Sequence, residues 1–316
     1  QRAVELIKEL PDDDACKAYL AKMKWQDGFT CGKCGHTKGC EKAGYKYQCY
    51  NCQHVESATA NTLFHKVKFG LQKAFCIVFE MSTSSKSISS IQMGKRFDIR
   101  QGTAWYFMQK VRTSMESSRQ YPLSEIVHVD EFTVGGKEEG KQGRSYDSKK
   151  KKAVIAVELN NKHQIKRAYV KSIEDYSSKS LTPIFEEHIG AGAKVVTDKW
   201  RGYEPLKKTY NIEQKLSSKG KNFKELHIII MQVKSWLRAI PTHVSNWHIQ
   251  KYFDEFSLVS ADIKSFNNFI DKEIKLIIEE NREIEPTIIP HNIDEFKIRL
   301  DKIWIKNPDS RSRFWI

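Results

Sequence analysis

"IVHVDEFTVGGK", residues 126–137, decides how the rest of the chain is read. Ile126, Val127, Val129, Phe132, Thr133 and Val134 are β-branched or aromatic, the composition of a strand. Gly135 and Gly136 punctuate its end. Asp130 stands inside this run, and a charge there needs a partner or a purpose. Strand alternation sends Asp130 and Glu131 to opposite faces. The expectation is therefore that Asp130 serves a site and Glu131 has a supporting or structural role.

The segments downstream of this strand are mixed. "KAVIAVEL" (152–159), "QIKRAYV" (164–170) and "KVVTD" (194–198) have strand composition. "SKSLTPIFEEHI" (178–189) and "LHIIIMQVKSWLRAI" (226–240) have helical spacing. The predicted order over 124–257 is three strands, helix, strand, helix, a possible strand at "NIEQKL", and helix. That is an α/β domain. Asp198 ends the fourth strand, and a strand-terminal aspartate projects from the sheet edge where ligands bind in open α/β folds. Two such aspartates on adjacent strands can hold Mg²⁺, which prefers hard oxygen ligands. Two ions about 4 Å apart would activate an attacking oxygen and stabilise a leaving one in phosphodiester transfer.

The flanks differ in kind. Residues 1–25 predict a short helical segment with a "PDDD" turn. Residues 26–66 are rich in Gly and Cys, with short β-like pieces such as "YKYQCY". Residues 67–120 are helical, and 258–316 form a divergent helical tail rich in Ile and Lys/Glu. Cys31-x-x-Cys34 and Cys49-x-x-Cys52 are two pairs 14 residues apart. Each pair can bind one ion as a knuckle, and together they make a closed, structural four-cysteine zinc site of ribbon type. In so small a fold the metal supplies much of the stability. Cys40, His36 and His54 lie close by, but the matched pairs outrank them. Cys16 and Cys76 fit packed thiols.

Within 67–120, "SISSIQMGKRF-DIR-QGTAWYFMQKVRTSM" runs helix, short turn, helix. In a helix-turn-helix unit the second helix enters the major groove by its first residues. Here those are Arg100, Gln101 and Thr103, and Arg and Gln pair with guanine and adenine. Trp105, Phe107, Met108 and Val111 are expected in the core.

The bulk numbers agree. The chain has 316 residues, 40% hydrophobic and 29% charged, a soluble globular composition. Its net charge of +14 favours a polyanionic partner, nucleic acid before membrane. The basic excess lies ahead of Leu258; the tail is nearly balanced. No apolar run is long enough to span a membrane, and no signal-peptide pattern opens the sequence. Seven cysteines, an odd number, argue against a disulfide framework and for a reducing compartment.

Taken together, the zinc ribbon, the helical segment, "VDEFTVGGK", "TDKWRGY", "H-x-x-I-x-Q-x-K-x-W-L" and "YFDEF" resemble the DDE-type transposases of bacterial insertion sequences. The match is to the zinc-ribbon group related to the eukaryotic Merlin transposons, over roughly residues 15–257. The resemblance implies a ribonuclease-H-like (integrase-type) catalytic domain, Mg²⁺ or Mn²⁺, terminal-inverted-repeat DNA, and strand cleavage followed by strand transfer. It implies a homo-oligomer that pairs two DNA ends in the bacterial cytoplasm, at the nucleoid. It places the first catalytic acid on Asp130 and the second on Asp198. The third metal position, asparagine or glutamate in relatives, falls on Gln232, and the following lysine on Lys234. His227 takes the histidine at the helix start. Gly135, Gly136 and Lys137 match a "GGK" at the site's rim, and Arg201 and Tyr203 match the stretch after the second acid. Two departures stand out. Gln232 offers a neutral carbonyl oxygen one methylene further out than asparagine, and the chain diverges after "YFDEFS". They support a competing expectation, a non-catalytic DNA-binding protein that uses the ribbon and helices alone. A zinc-ribbon module of RNA-polymerase-associated type is a third, and it leaves Asp130 and Asp198 without a role.

Overall fold

The computed structural model describes residues 7–84, 86–117, 119–135, 150–240 and 244–260, with the side chains of 219, 220 and 260 excepted. Lys137 and the tail from 261 onward lie outside the described residues. The chain divides into two compact units.

The first unit holds the cysteine pairs and the middle helices. Helix α1 (Asp13–Lys24) starts where Asp12 accepts the backbone N–H groups of Asp14 and Ala15, at 3.0 and 2.8 Å. These bonds satisfy two of the orphan donors of the first turn. Strands β1 (Gly39–Lys42), β2 (Lys46–Cys49) and β3 (Val55–Ser57) form a small antiparallel sheet in that order. Helices α2 (Leu71–Thr83), α3 (Ser90–Phe97) and α4 (Gln101–Ser114) follow. Phe64 stacks on Phe75 at 4.3 Å, and Tyr19 meets Phe75 edge-on at 5.9 Å, so α1 and α2 share one aromatic core. Asp98 adopts φ 49° and the Ile99 N–H closes on the Gly94 carbonyl at 3.0 Å. This is a left-handed helix stop. A Cβ on residue 94 would lie 2.9 Å from the Ile99 oxygen, which accounts for glycine there. The chain thus turns from α3 into α4 within three residues, as the helix-turn-helix reading expects. Phe107, Met108 and Val111 are buried as predicted, while Trp105 is half-buried.

The second unit is built on a five-stranded sheet. Its strands are β4 (Ile126–Val134), β5 (Lys151–Leu159), β6 (Ile165–Ile173), β7 (Lys194–Thr197) and β8 (Asn211–Gln214), in the order β6-β5-β4-β7-β8. The first three are antiparallel; β7 runs parallel to β4, and β8 parallel to β7. Helix α5 (Ser178–His188) crosses from β6 to β7. On that face Val127, Val129, Val154 and Ala156 pack with Leu181, Ile184, Phe185 and Tyr203. Helices α6 (Lys224–Arg238) and α7 (Asn246–Ser260) cover the other face, where Phe132, Ala153, Ile155 and Val157 meet Val233, Trp236 and Phe253. A mixed sheet buried on both faces, with strand one at its centre, is the ribonuclease-H-like α/β architecture expected.

One detail departs from the sequence reading. Between β7 and β8 the chain makes short 3₁₀ turns at Arg201–Tyr203 and Pro205–Lys208 rather than a helix. Gly202 and Pro205 interrupt helical propagation there. Helix α7 runs on through residue 258 to Ser260, in keeping with the helical composition expected there.

Candidate active site

The site grows out of one register. The parallel pairing of β4 with β7 ends at Val129 opposite Thr197. The next residue on each strand is an aspartate, Asp130 and Asp198, so the two stand side by side. β4 itself continues to Val134, paired only with β5 on its other side. Its edge is therefore open from Asp130 onward, and side chains of both faces can turn into the gap. Carboxylate oxygens of Asp130, Glu131 and Asp198 all lie within 4.8 Å of one another, and all three residues are half-buried. Alternation alone sends Glu131 to the opposite face; the open edge brings its longer side chain back. Sequence alternation alone does not bring Glu131 into this cluster, and the only signal for it was its adjacency to Asp130.

The backbone holds the acids in place. Asp130 Oδ1 accepts the Glu131 N–H at 2.8 Å, and Asp198 Oδ1 accepts the Trp200 N–H at 2.9 Å. The Gln214 amide on β8 donates to the carbonyls of Asp198 and Trp200, both at 3.0 Å. The Trp200 indole donates to the Tyr176 carbonyl at 2.8 Å. Tyr203 is fully buried behind the acids. Burial, and then the charges of Glu131, Asp130 and Asp198, hold its phenol well above its ordinary range, so it stays a neutral donor. Three carboxylates this close repel one another, and a cation relieves that repulsion. Hard oxygen donors suit Mg²⁺ or Mn²⁺.

The α6 residues that the sequence singles out differ in exposure. Lys234 is half-buried, with Nζ 5.8 Å from the ring of Phe132, which shares a strand face with Asp130. Burial, then the nearby Lys150 and Arg238, depress its ammonium below the usual lysine range. The three positive charges thus act on one another. Gln232 is exposed and His227 half-buried on the same helix; Arg201 is exposed just after the Asp198 loop. Among the described residues, no hydrogen bond joins the Gln232 amide to the acids.

In the first unit the four cysteines form one cluster, again with all ligand atoms within 4.8 Å. Cys31 Sγ lies 3.6 Å from Cys52 Sγ, and Cys34 Sγ 3.6 Å from Cys49 Sγ. Tetrahedral zinc with bonds of about 2.3 Å sets its sulfurs about 3.8 Å apart, so the cluster fits a structural zinc ion. Two matching knuckles build it. The N–H of Cys31 binds the His36 carbonyl at 2.8 Å, and the N–H of Cys49 binds the His54 carbonyl at 3.0 Å. The N–H of Gly35 and that of Gln53 return to the carbonyls of Cys31 and Cys49, both from left-handed φ of 73° and 56°. A backbone N–H bond from His36 pulls the Cys34 thiol down to about 6, toward the thiolate a metal needs. His36 and His54 thus act through their backbones, and Cys40 stands outside the cluster. Buried Glu56 accepts the Gly32 N–H at 3.1 Å and pairs with Lys24, tying the first knuckle to α1. Cys16 is buried, and burial pushes its thiol up to about 12, as for a packed residue.

At the start of α4, Arg100, Gln101 and Thr103 are exposed, and the Gln101 amide donates to Ser90 Oγ at 2.9 Å. Tyr106, one turn beyond Thr103, is 62% exposed and extends the same face. No helix among the described residues is long and apolar enough to cross a membrane.

Comparison with known proteins bears on both units. Residues 122–258 match the ISXO2-like transposase domain, and residues 11–55 match the transposase zinc-ribbon domain. Together the two matches span more than half of the chain. No curated protein matches it.

Proposed function

Because this chain belongs to the IS1595 family of zinc-ribbon DDE transposases, we propose that it binds the terminal inverted repeats of a mobile element, then cuts and rejoins DNA by in-line phosphoryl transfer. The observation that carries this reading is the register that sets Asp130 and Asp198 side by side where β4 and β7 part. The two aspartates would hold Mg²⁺ or Mn²⁺, which when bound would supply activation of the attacking oxygen and charge stabilisation at the leaving one. Lys234, with Lys150 and Arg238, draws the scissile phosphate to that edge as a cluster of point charges. Gln232 offers a neutral carbonyl oxygen from α6, and His227, Arg201 and Lys137 contact the DNA around the site. Arg100, Gln101 and Thr103 read bases from the end of α4. The work divides among a ribbon over 26–66, a reading segment over 67–120 and a catalytic domain over 124–257. Joining two ends calls for at least two copies of the chain.

The test is a labelled terminal-repeat duplex incubated with protein and Mg²⁺. Wild type is expected to nick it, and Asp130→Ala and Asp198→Ala to lose cleavage by about a thousandfold or more while still binding. Cleavage by both variants would overturn the assignment. Wild-type binding without cutting, in Mn²⁺ as well, would favour the non-catalytic reading.

A further inference from the structure

We propose that Glu131 supplies the third carboxylate of the metal centre, and that Tyr203 is the positioning residue that holds it there. This rests on the metal site proposed above and names its missing acid. Helix α6 brings Gln232, which carries no charge and is exposed. Two aspartates alone leave a divalent ion with fewer anionic ligands than three acids would give. The structure provides the third from the strand itself. Glu131 lies where β4 has lost its neighbour, and its carboxylate comes within 4.8 Å of both aspartates.

The second observation is Tyr203. Its side chain is fully buried on the face of β4 that Glu131 shares with Val129, and its hydroxyl has no hydrogen-bond partner of good geometry among the described residues. A buried hydroxyl left in that state costs free energy unless a ligand or a small shift of Glu131 completes its bonding. A neutral phenol can donate to one oxygen of Glu131 and leave the other for the ion. That division of labour orients metal-ligating carboxylates generally. Tyr203 is kept in position by the 3₁₀ turn at Arg201–Tyr203, whose Gly202 fits under the Trp200 indole.

Mn²⁺ titration of the zinc-loaded full chain, followed by electron paramagnetic resonance of free Mn²⁺, tests this without reference to cleavage. Circular dichroism checks that each variant is folded. Glu131→Gln is expected to weaken Mn²⁺ by about tenfold or more, more than Gln232→Ala does, and Glu131→Asp to recover part of the loss. Tyr203→Phe is expected to weaken Mn²⁺ several-fold in the wild-type background and to have no further effect in Glu131→Gln. A purely structural tyrosine would cost the same in both. Should Glu131→Gln fail to fold, Glu131→Asp decides, because a shortened carboxylate must still weaken the ion. Wild-type affinity in the folded Glu131 variants, with affinity lost in Asp198→Asn, would overturn the role of Glu131 and leave the site standing. A greater loss in Gln232→Ala than in Glu131→Gln would also overturn it. Unchanged affinity in Asp198→Asn would overturn the metal site itself.

Discussion

A methyl group at residue 202 would have nowhere to go. A Cβ there would lie 2.6 Å from the Trp200 indole nitrogen and 2.8 Å from the Tyr176 carbonyl, the two partners of one hydrogen bond. Gly202→Ala must therefore push the indole off Tyr176 and disturb the turn that carries Asp198 and Tyr203. Overpacking of this kind costs about 1–3 kcal/mol. Thermal unfolding of Gly202→Ala is expected to show that loss, and Mn²⁺ affinity to fall with it; an unshifted transition would show that the loop relaxes freely. The contrast with Asp130 is instructive. Asp130 was conspicuous in the sequence because a charge sits among β-branched residues. Gly202 is an ordinary loop glycine until its neighbours are known, and alternation alone gives Glu131 only a supporting or structural role.

The elements differ in how much of them local sequence fixes. The zinc ribbon is nearly all local: two knuckles with the same pattern of backbone bonds, set 14 residues apart, closed on one cluster of sulfurs. Its core beyond the cysteines is small, chiefly Phe29 stacked on Tyr47 at 5.0 Å beside Trp25. Removing zinc is therefore expected to unfold this element. A chelator that strips about one zinc per chain should abolish repeat binding, and Cys49→Ser should do the same. Retained binding by a protein shown to be zinc-free would refute this. The two helices at Ser90–Phe97 and Gln101–Ser114 were legible too, as helical stretches on either side of a short turn. The segment between β7 and β8 was not. Gly202 and Pro205, together with the short crossover between two four-residue parallel strands, limit it to 3₁₀ turns.

At the scale of the whole molecule, charge is the dominant property. A net charge of +14, concentrated ahead of the tail, suits a partner with one phosphate charge every few ångströms. Repeat binding is expected to fall steeply with salt, by about 10³-fold or more between 50 and 200 mM if six or more phosphates are neutralised. A nearly flat dependence in a filter-binding titration would count against a phosphate-dominated interface. The sequence by itself determined the inventory: a four-cysteine cluster, two helices joined by a short turn, and an α/β domain with an aspartate in its first strand and another just after its fourth. Those features are local, set by spacing, turn chemistry and side-chain period. The tertiary structure decided which carboxylates meet. The β4–β7 ladder stops one residue short of the two aspartates, and that open edge lets Glu131 join them. Strand order and ladder length are set by packing across the sheet, and no periodicity within a single segment encodes them.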